Sequence, residues 1–131
     1  MIFGLAIGFW AIGPVLAAEQ MLYIAPAGND AWSGALSEPN AAKNDGPVAT
    51  LERARQLVQA RIADGLKGPV TVQIRGGEYA LDRTVIFGPK DSGTENCPVT
   101  YQAYPGEKPV FTGGIKLSGW KKASEEPEGV H

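Results

Sequence analysis

Two ten-residue stretches constrain this chain more than any other feature: residues 69–78, PVTVQIRGGE, and residues 98–107, PVTYQAYPGE. They match at six positions without a gap, 29 residues apart: Pro69/Pro98, Val70/Val99, Thr71/Thr100, Gln73/Gln102, Gly77/Gly106 and Glu78/Glu107. In the first copy Val70, Val72 and Ile74 alternate with Thr71, Gln73 and Arg75, the period-two pattern of a strand with one buried face. Gly76-Gly77 then allow a turn at little steric cost. Repeats spaced by tens of residues point to stacked coils, blades or arrays, because one unit cannot bury its apolar face alone. Chance likeness between two strand–turn units is the competing reading, since a stable stack ordinarily needs about three copies.

The rest of the chain favours many short strands. Its 131 residues make one small domain, and 17 Gly and 10 Pro suit turns better than long helices. A net charge of −2 without a basic stripe points away from nucleic acid as a partner. Cys97 is the only cysteine, which excludes an internal disulfide and a multi-cysteine zinc site. His131 is the only histidine, which argues against a histidine-rich metal site or a Ser-His-Asp triad. No cofactor motif of the Walker or HExxH type occurs, and Gly76-Gly77 is a corner rather than a nucleotide loop.

Residues 1–18 stand apart. From Ile2 to Leu16 they carry no charge, and Val15-Leu16-Ala17 offers a small-residue cleavage site, with Leu16-Ala17-Ala18 a second choice. This pattern predicts a secretory signal peptide, and hence a secreted, periplasmic or cell-surface location. The stretch is too short, and too broken by Gly13-Pro14, for a stable membrane span. It lacks a Lys or Arg near the amino terminus, which leaves an uncleaved anchor or a misplaced start codon as alternatives.

Residues 19–68 are expected to hold a first strand at 21–25, a long turn-rich loop and one amphipathic helix at about 50–64. Thr50 suits the N-cap, Glu52 the first turn and Gly65 the C′ position. Leu51, Ala54, Leu57, Val58 and Ile62 form its apolar stripe. Residues 69–120 are expected to supply strands at 70–75, 79–81, 84–87, 99–104, 110–112 and 115–117. Short strands, sharp corners and uneven loops fit the first coils of a β-helix, with the helix covering the open end of the stack. Residues 121–131 are a polar tail unable to seal a coil, so the sequence is expected to be the beginning of a longer protein.

The runs YIAPAGND (23–30), ATLERAR (49–55), VTVQIRGGEYALDRTV (70–85), DSGTENCPVTYQAYPGEKPVFTGG (91–114) and SGW (118–120) resemble the N-terminal segment of secreted bacterial right-handed parallel β-helix proteins. These belong to the pectate-lyase-like superfamily, and the likeness is closest to members grouped with glycoside hydrolases. The resemblance implies an all-β, right-handed parallel β-helix fold. It implies a polysaccharide or oligosaccharide substrate and a full-length glycoside hydrolase or polysaccharide lyase. It also implies that the catalytic residues lie on later coils, so none is assigned within this chain. A non-catalytic β-helix surface or glycan-binding protein is the alternative.

Several residues invite chemistry by type. Asp91 and Glu95 are the most tempting carboxylate pair, against a solvated turn in which Asp91 and Ser92 bond the backbone locally. Asn29-Asp30 and Asn44-Asp45 offer oxygen ligands suited to calcium, but without the EF-hand pattern, and turn formation is the commoner use. Trp32, Tyr79, Tyr101, Tyr104 and Trp120 are candidates for stacking on sugar rings. Of these Tyr101 is expected inside, its hydroxyl needing a partner, and Tyr104 on the opposite, more exposed face. Glu78 and Glu107 recur after glycine turns, which suggests a repeated corner contact. Cys97 has no flanking histidine and reads as a small strand-edge residue.

Overall fold

The computed structural model describes residues 17–122, so nearly all of the expected signal peptide and the end of the polar tail lie outside the described residues. Five short strands and one α-helix follow in the order β1 (Gln20–Ile24), α1 (Leu51–Ala63), β2 (Val70–Ile74), β3 (Gly77–Ala80), β4 (Val99–Ala103) and β5 (Pro109–Thr112). β1, β2 and β4 form one sheet in that order, and β3 and β5 form a second. Every pairing is parallel. Parallel neighbours cannot be joined by a tight hairpin. The chain therefore returns from β1 to β2 through the loop and helix, and from β2 to β4 through β3 and the loop after it.

The register explains the repeat and also limits it. Val70 faces Val99, Thr71 faces Thr100 and Gln73 faces Gln102, so the 29-residue identities in the first strand are pairs in space. In the second strand the offset is 32, because Gly77 faces Pro109 and Glu78 faces Val110. The turn between β4 and β5 is therefore three residues longer than the turn between β2 and β3. Gly77/Gly106 and Glu78/Glu107 match as letters but not in space. The expectation of one repeated corner contact is corrected accordingly: Glu107 sits in the turn, whereas Glu78 lies exposed on β3.

β2 also departs from the one-face pattern. All five of its residues are buried, Thr71 and Gln73 included. As the central strand it has β1 on one side and β4 on the other. Thr71 Oγ1 is satisfied by a hydrogen bond to the Glu19 carboxylate. The core joins Leu22 and Ile24 of β1, Val48 of the loop, Ala54 and Val58 of α1, and Val70, Val72 and Ile74 of β2, with Tyr79 of β3.

The helix forms where its caps allow. Thr50 is extended and its side chain accepts a hydrogen bond from the Arg53 N–H at 3.1 Å, satisfying one of the free donors of the first turn. At the other end Asp64 is the C-cap, and Gly65 takes φ +86°, a left-handed conformation that costs glycine little. The predicted stripe faces the core: Ala54 and Val58 are buried, and Leu51, Leu57 and Ile62 pack at its margin.

Two expected strands are corrected. Residues 84–87 and 115–117 form no strand. A strand persists only where a neighbour takes up its backbone donors and acceptors, and among the described residues no strand pairs with either stretch. Ile86 is 71% exposed and Ile115 89%.

The two edges of the larger sheet differ. Along β1 the loop is laid down as a cover: Tyr23 N–H donates to Gly34 O at 2.8 Å, Val48 N–H to Tyr23 O at 2.9 Å, and Ala25 N–H to Val48 O at 2.9 Å. Along the outer side of β4 and β5 no strand is paired among the described residues.

Candidate functional site

Arg75 follows β2 directly, and Tyr104 follows β4. Since Ile74 faces Ala103 in register, the next residues on each strand meet as well, and the Arg75 guanidinium carbon lies 4.6 Å from the centre of the Tyr104 ring. This is cation–π distance. The chain then turns through Pro105-Gly106, where Gly106 takes φ +77°, and brings Glu107 back toward β2. Arg75 Nε donates to Glu107 Oε1 at 3.1 Å and Oε2 at 3.0 Å, while the Gly76 N–H donates to the same carboxylate. Arg75 Nη1 donates to Ser37 O at 3.0 Å, and the Glu38 carboxylate lies 3.7 Å away.

This corner forms one wall of a cleft of about 490 Å³ whose other surfaces are Ala25, Pro26, Ala27, Pro39 and Pro47. Hydrogen bonds from Arg75, then from the Gly76 N–H, hold the Glu107 carboxyl below its ordinary value of 4.5. A depressed carboxylate pKa stabilises the fold above the unfolded value, and that stability is lost as pH falls through the folded one. Glu107→Gln is therefore expected to melt lower than the parent at pH 7 and to converge with it below pH 4.5, as read by melting temperature against pH.

A second polar cluster ties the 88–91 turn to the helix. Arg55 and Gln59 lie one helical turn apart and both reach Asp91. Arg55 Nη1 is 3.2 Å from Asp91 Oδ1, Gln59 Nε2 donates to the same oxygen at 2.7 Å, and the Gly88 N–H donates to Oδ2 at 2.8 Å. Arg55 also pairs with Glu52 at 2.8 Å. Asp91 is only 7% exposed, so the expected solvated turn is corrected: the carboxylate is a buried anchor. Its oxygens are occupied in that role. Glu95 is exposed, and no hydrogen bond or ion pair joins the two residues among the described contacts.

The other candidates are placed as follows. Asp30 accepts from the Ala49 and Thr50 N–H groups at 2.8 and 2.9 Å and from the Thr50 hydroxyl at 2.7 Å, fixing the approach to the helix. Asp45 accepts from Ser33 N–H at 2.8 Å, and Asn29 from Ala31 N–H at 2.8 Å. Asn44 is bound side chain to side chain with Asn40 at 2.6 Å. All four shape the loop. Among the described residues no group of three or more His, Cys, Asp or Glu side chains is arranged to hold a metal.

Trp32 is half-buried against Gly46, where an added Cβ would stand 2.7 Å from its ring. Trp120 is 84% exposed. Tyr79 stacks on Phe111, its partner in register, with centroids 5.0 Å apart. Tyr101 packs at the core margin with Phe87 edge-on at 5.2 Å, and its hydroxyl has no hydrogen-bond partner among the described atoms. Tyr104 is half-buried under Arg75 rather than free. Cys97, half-buried, closes the turn before β4 through its N–H to Thr94 O at 3.1 Å.

Burial pushes both the Tyr79 and Tyr101 phenols up to about 12 from 10.0. Below pH 10 the folded and unfolded states both keep these protons. Between 10 and 12 only the unfolded state releases them, so stability falls as pH rises. The melting temperature is expected to decline across that window, and less steeply in Tyr101→Phe, where one such proton is removed.

Both polar clusters escaped a reading based on motifs, since neither has a signature. The Arg75–Tyr104 contact was nonetheless encoded, because the two residues occupy equivalent places in the 29-residue repeat. The Arg55–Gln59 pair carried the i, i+4 spacing of a shared helix face, but nothing in it named Asp91 as partner.

The chain is similar to a solved structure described as "Glycoside hydrolase", with 36% sequence identity, a TM-score of 0.66 and coverage of 79% of this chain. The fold is glycoside-hydrolase-like. The match spans 16% of the length of that protein. No protein-family model matches the chain, and no curated protein matches it. Among the described residues no helix is long and apolar enough to cross a membrane.

Proposed function

We propose that this chain supplies the N-terminal cap and first coils of an exported, right-handed parallel β-helix enzyme of the pectate-lyase-like type, a glycoside hydrolase acting on polysaccharide. The observation that carries the proposal is the 36% identity to a glycoside hydrolase over a segment built of parallel, in-register strand pairs. Two features support the cap assignment. The loop covers the outer edge of β1, while the β4–β5 side presents exposed Val110 of β5 and exposed Phe87 set against Tyr101 of β4, suited to stacking a further coil. The two polar clusters act as braces. Both carboxylates, Glu107 and Asp91, are bound by an arginine and a backbone N–H, and for Glu107 these bonds favour the charged form, which makes it a poor proton donor. Catalysis then falls to carboxylates on later coils, one acid and one nucleophile or base.

A sequencing read through the locus beyond the His131 codon tests this. A frame that stays open for several hundred residues, with paired Asp or Glu on successive strand units, supports the hydrolase. A continuation of plain repeats without such pairs favours a glycan-binding surface protein, and an immediate stop overturns the enzyme reading for this product. The 131-residue chain itself is expected to release no reducing ends from pectin, arabinoxylan or laminarin.

A further inference from the structure

We infer that the cleft at the Arg75–Glu107 corner is a non-catalytic binding site for a neutral oligosaccharide. The ligand class rests on the carbohydrate-active reading above, while the site rests on its own geometry. A cleft of about 490 Å³ is within the size range of small-molecule sites, which pair mostly apolar walls with a few fixed polar groups. Here Pro26 and Pro39, both exposed, give rigid apolar surface of the kind that packs on the C–H faces of a pyranose ring. The same cleft is lined by the polar groups of Arg75, Glu107 and Glu38.

The polar wall is preorganised. Arg75 is fixed at once by Glu107, by Ser37 O at 3.0 Å and by the Tyr104 ring at 4.6 Å, so binding need not order it. Glu38 is held only loosely, 3.7 Å from Arg75, with its side chain 77% exposed. Its carboxylate is therefore open to accept from sugar hydroxyls. The charge decides between sugar types. One cation, Arg75, faces two carboxylates, Glu38 and Glu107, and is already bonded to the second. A uronic acid polymer would meet net negative charge there, whereas a neutral glycan would not.

The test is a titration of the ¹⁵N-labelled 131-residue chain with cellohexaose and xylohexaose as neutral probes and trigalacturonate as the acidic one. Saturable shifts centred on the Ala27, Ser37 and Gly76 amides are expected with at least one neutral probe, with trigalacturonate at least about tenfold weaker, a difference of about 1.4 kcal/mol. Ala27→Trp, which fills the cleft from an exposed position, is expected to abolish the shifts. Glu38→Lys, at an exposed side chain, keeps the inference testable if the first variant misfolds: it is expected to reverse the preference toward trigalacturonate. Trp120→Ala is expected to leave binding unchanged. Absence of shifts with both neutral probes, shifts centred on Trp120, or an unchanged preference in Glu38→Lys would overturn the inference. Binding in the cleft together with a stop codon after His131 would keep this site and sink the hydrolase reading. The reverse pair of results would do the opposite.

Discussion

Leu22→Ala is expected to lower the stability of the fold by about 3 kcal/mol, the middle of the range for emptying a well-packed leucine site. Leu22 is fully buried and belongs to the core shared by β1, the loop, α1 and β2. Gly34 backs directly onto it, since a Cβ at that glycine would stand 3.0 Å from Leu22 Cδ2. The site cannot easily collapse, because β1 is held on one side by the β2 ladder and on the other by backbone bonds to Gly34 and Val48. A loss of that size is a large part of the ~5–15 kcal/mol that holds a small domain folded. It should appear as a fall in melting temperature of roughly 10–14 °C for a domain of this size. A shift below about 4 °C would show that the loop and helix pack on β1 far more loosely than the buried core implies.

Asp91→Ala is expected to cost about 2–3 kcal/mol, through the donors it strands rather than through lost apolar contact. Gln59 Nε2 and the Gly88 N–H both end on this carboxylate, at 2.7 and 2.8 Å, and Arg55 reaches it from the same helix. Asp91→Asn keeps the shape and part of the hydrogen bonding, so it should lose less. Urea unfolding separates the outcomes. Stability is expected to fall in the order parent, Asn, Ala at an unchanged slope, the sign of a change in the native state alone. Equal midpoints for all three would return Asp91 to the status of an ordinary surface turn residue. Amide exchange at Gly88 should quicken in the alanine variant, because its N–H loses its acceptor.

Both effects fall on the link between the helix and the strand units, which local sequence describes least. The caps of α1 were legible because capping is a short-range matter: Thr50 bonds the N–H of Arg53, and Gly65 takes a backbone angle that costs other residues more. β2 was legible from alternation and β4 from the repeat, and the short strands expected at 21–25, 79–81 and 110–112 lie within two residues of β1, β3 and β5. The repeat misled where the turn lengthened. Identical letters at Glu78 and Glu107 concealed a change of offset from 29 to 32, since matching residues cannot report how many residues a turn inserts between paired strands.

Residues 84–87 and 115–117 carry strand-like sequence and form no strand, because strand formation depends on a neighbour that composition does not reveal. Asp91 read as a turn residue for a similar reason. Its burial depends on a helix 32 and 36 residues earlier, at Gln59 and Arg55. Sequence alone thus determined the helix with both its ends, the first-strand register of the repeat and the glycine at each sharp corner, all set by local sterics or by direct repetition. Tertiary structure alone decided which carboxylates are occupied, which aromatic rings are covered and where the cleft lies. Those depend on contacts between residues tens of positions apart, whose geometry exists only once the strands have paired.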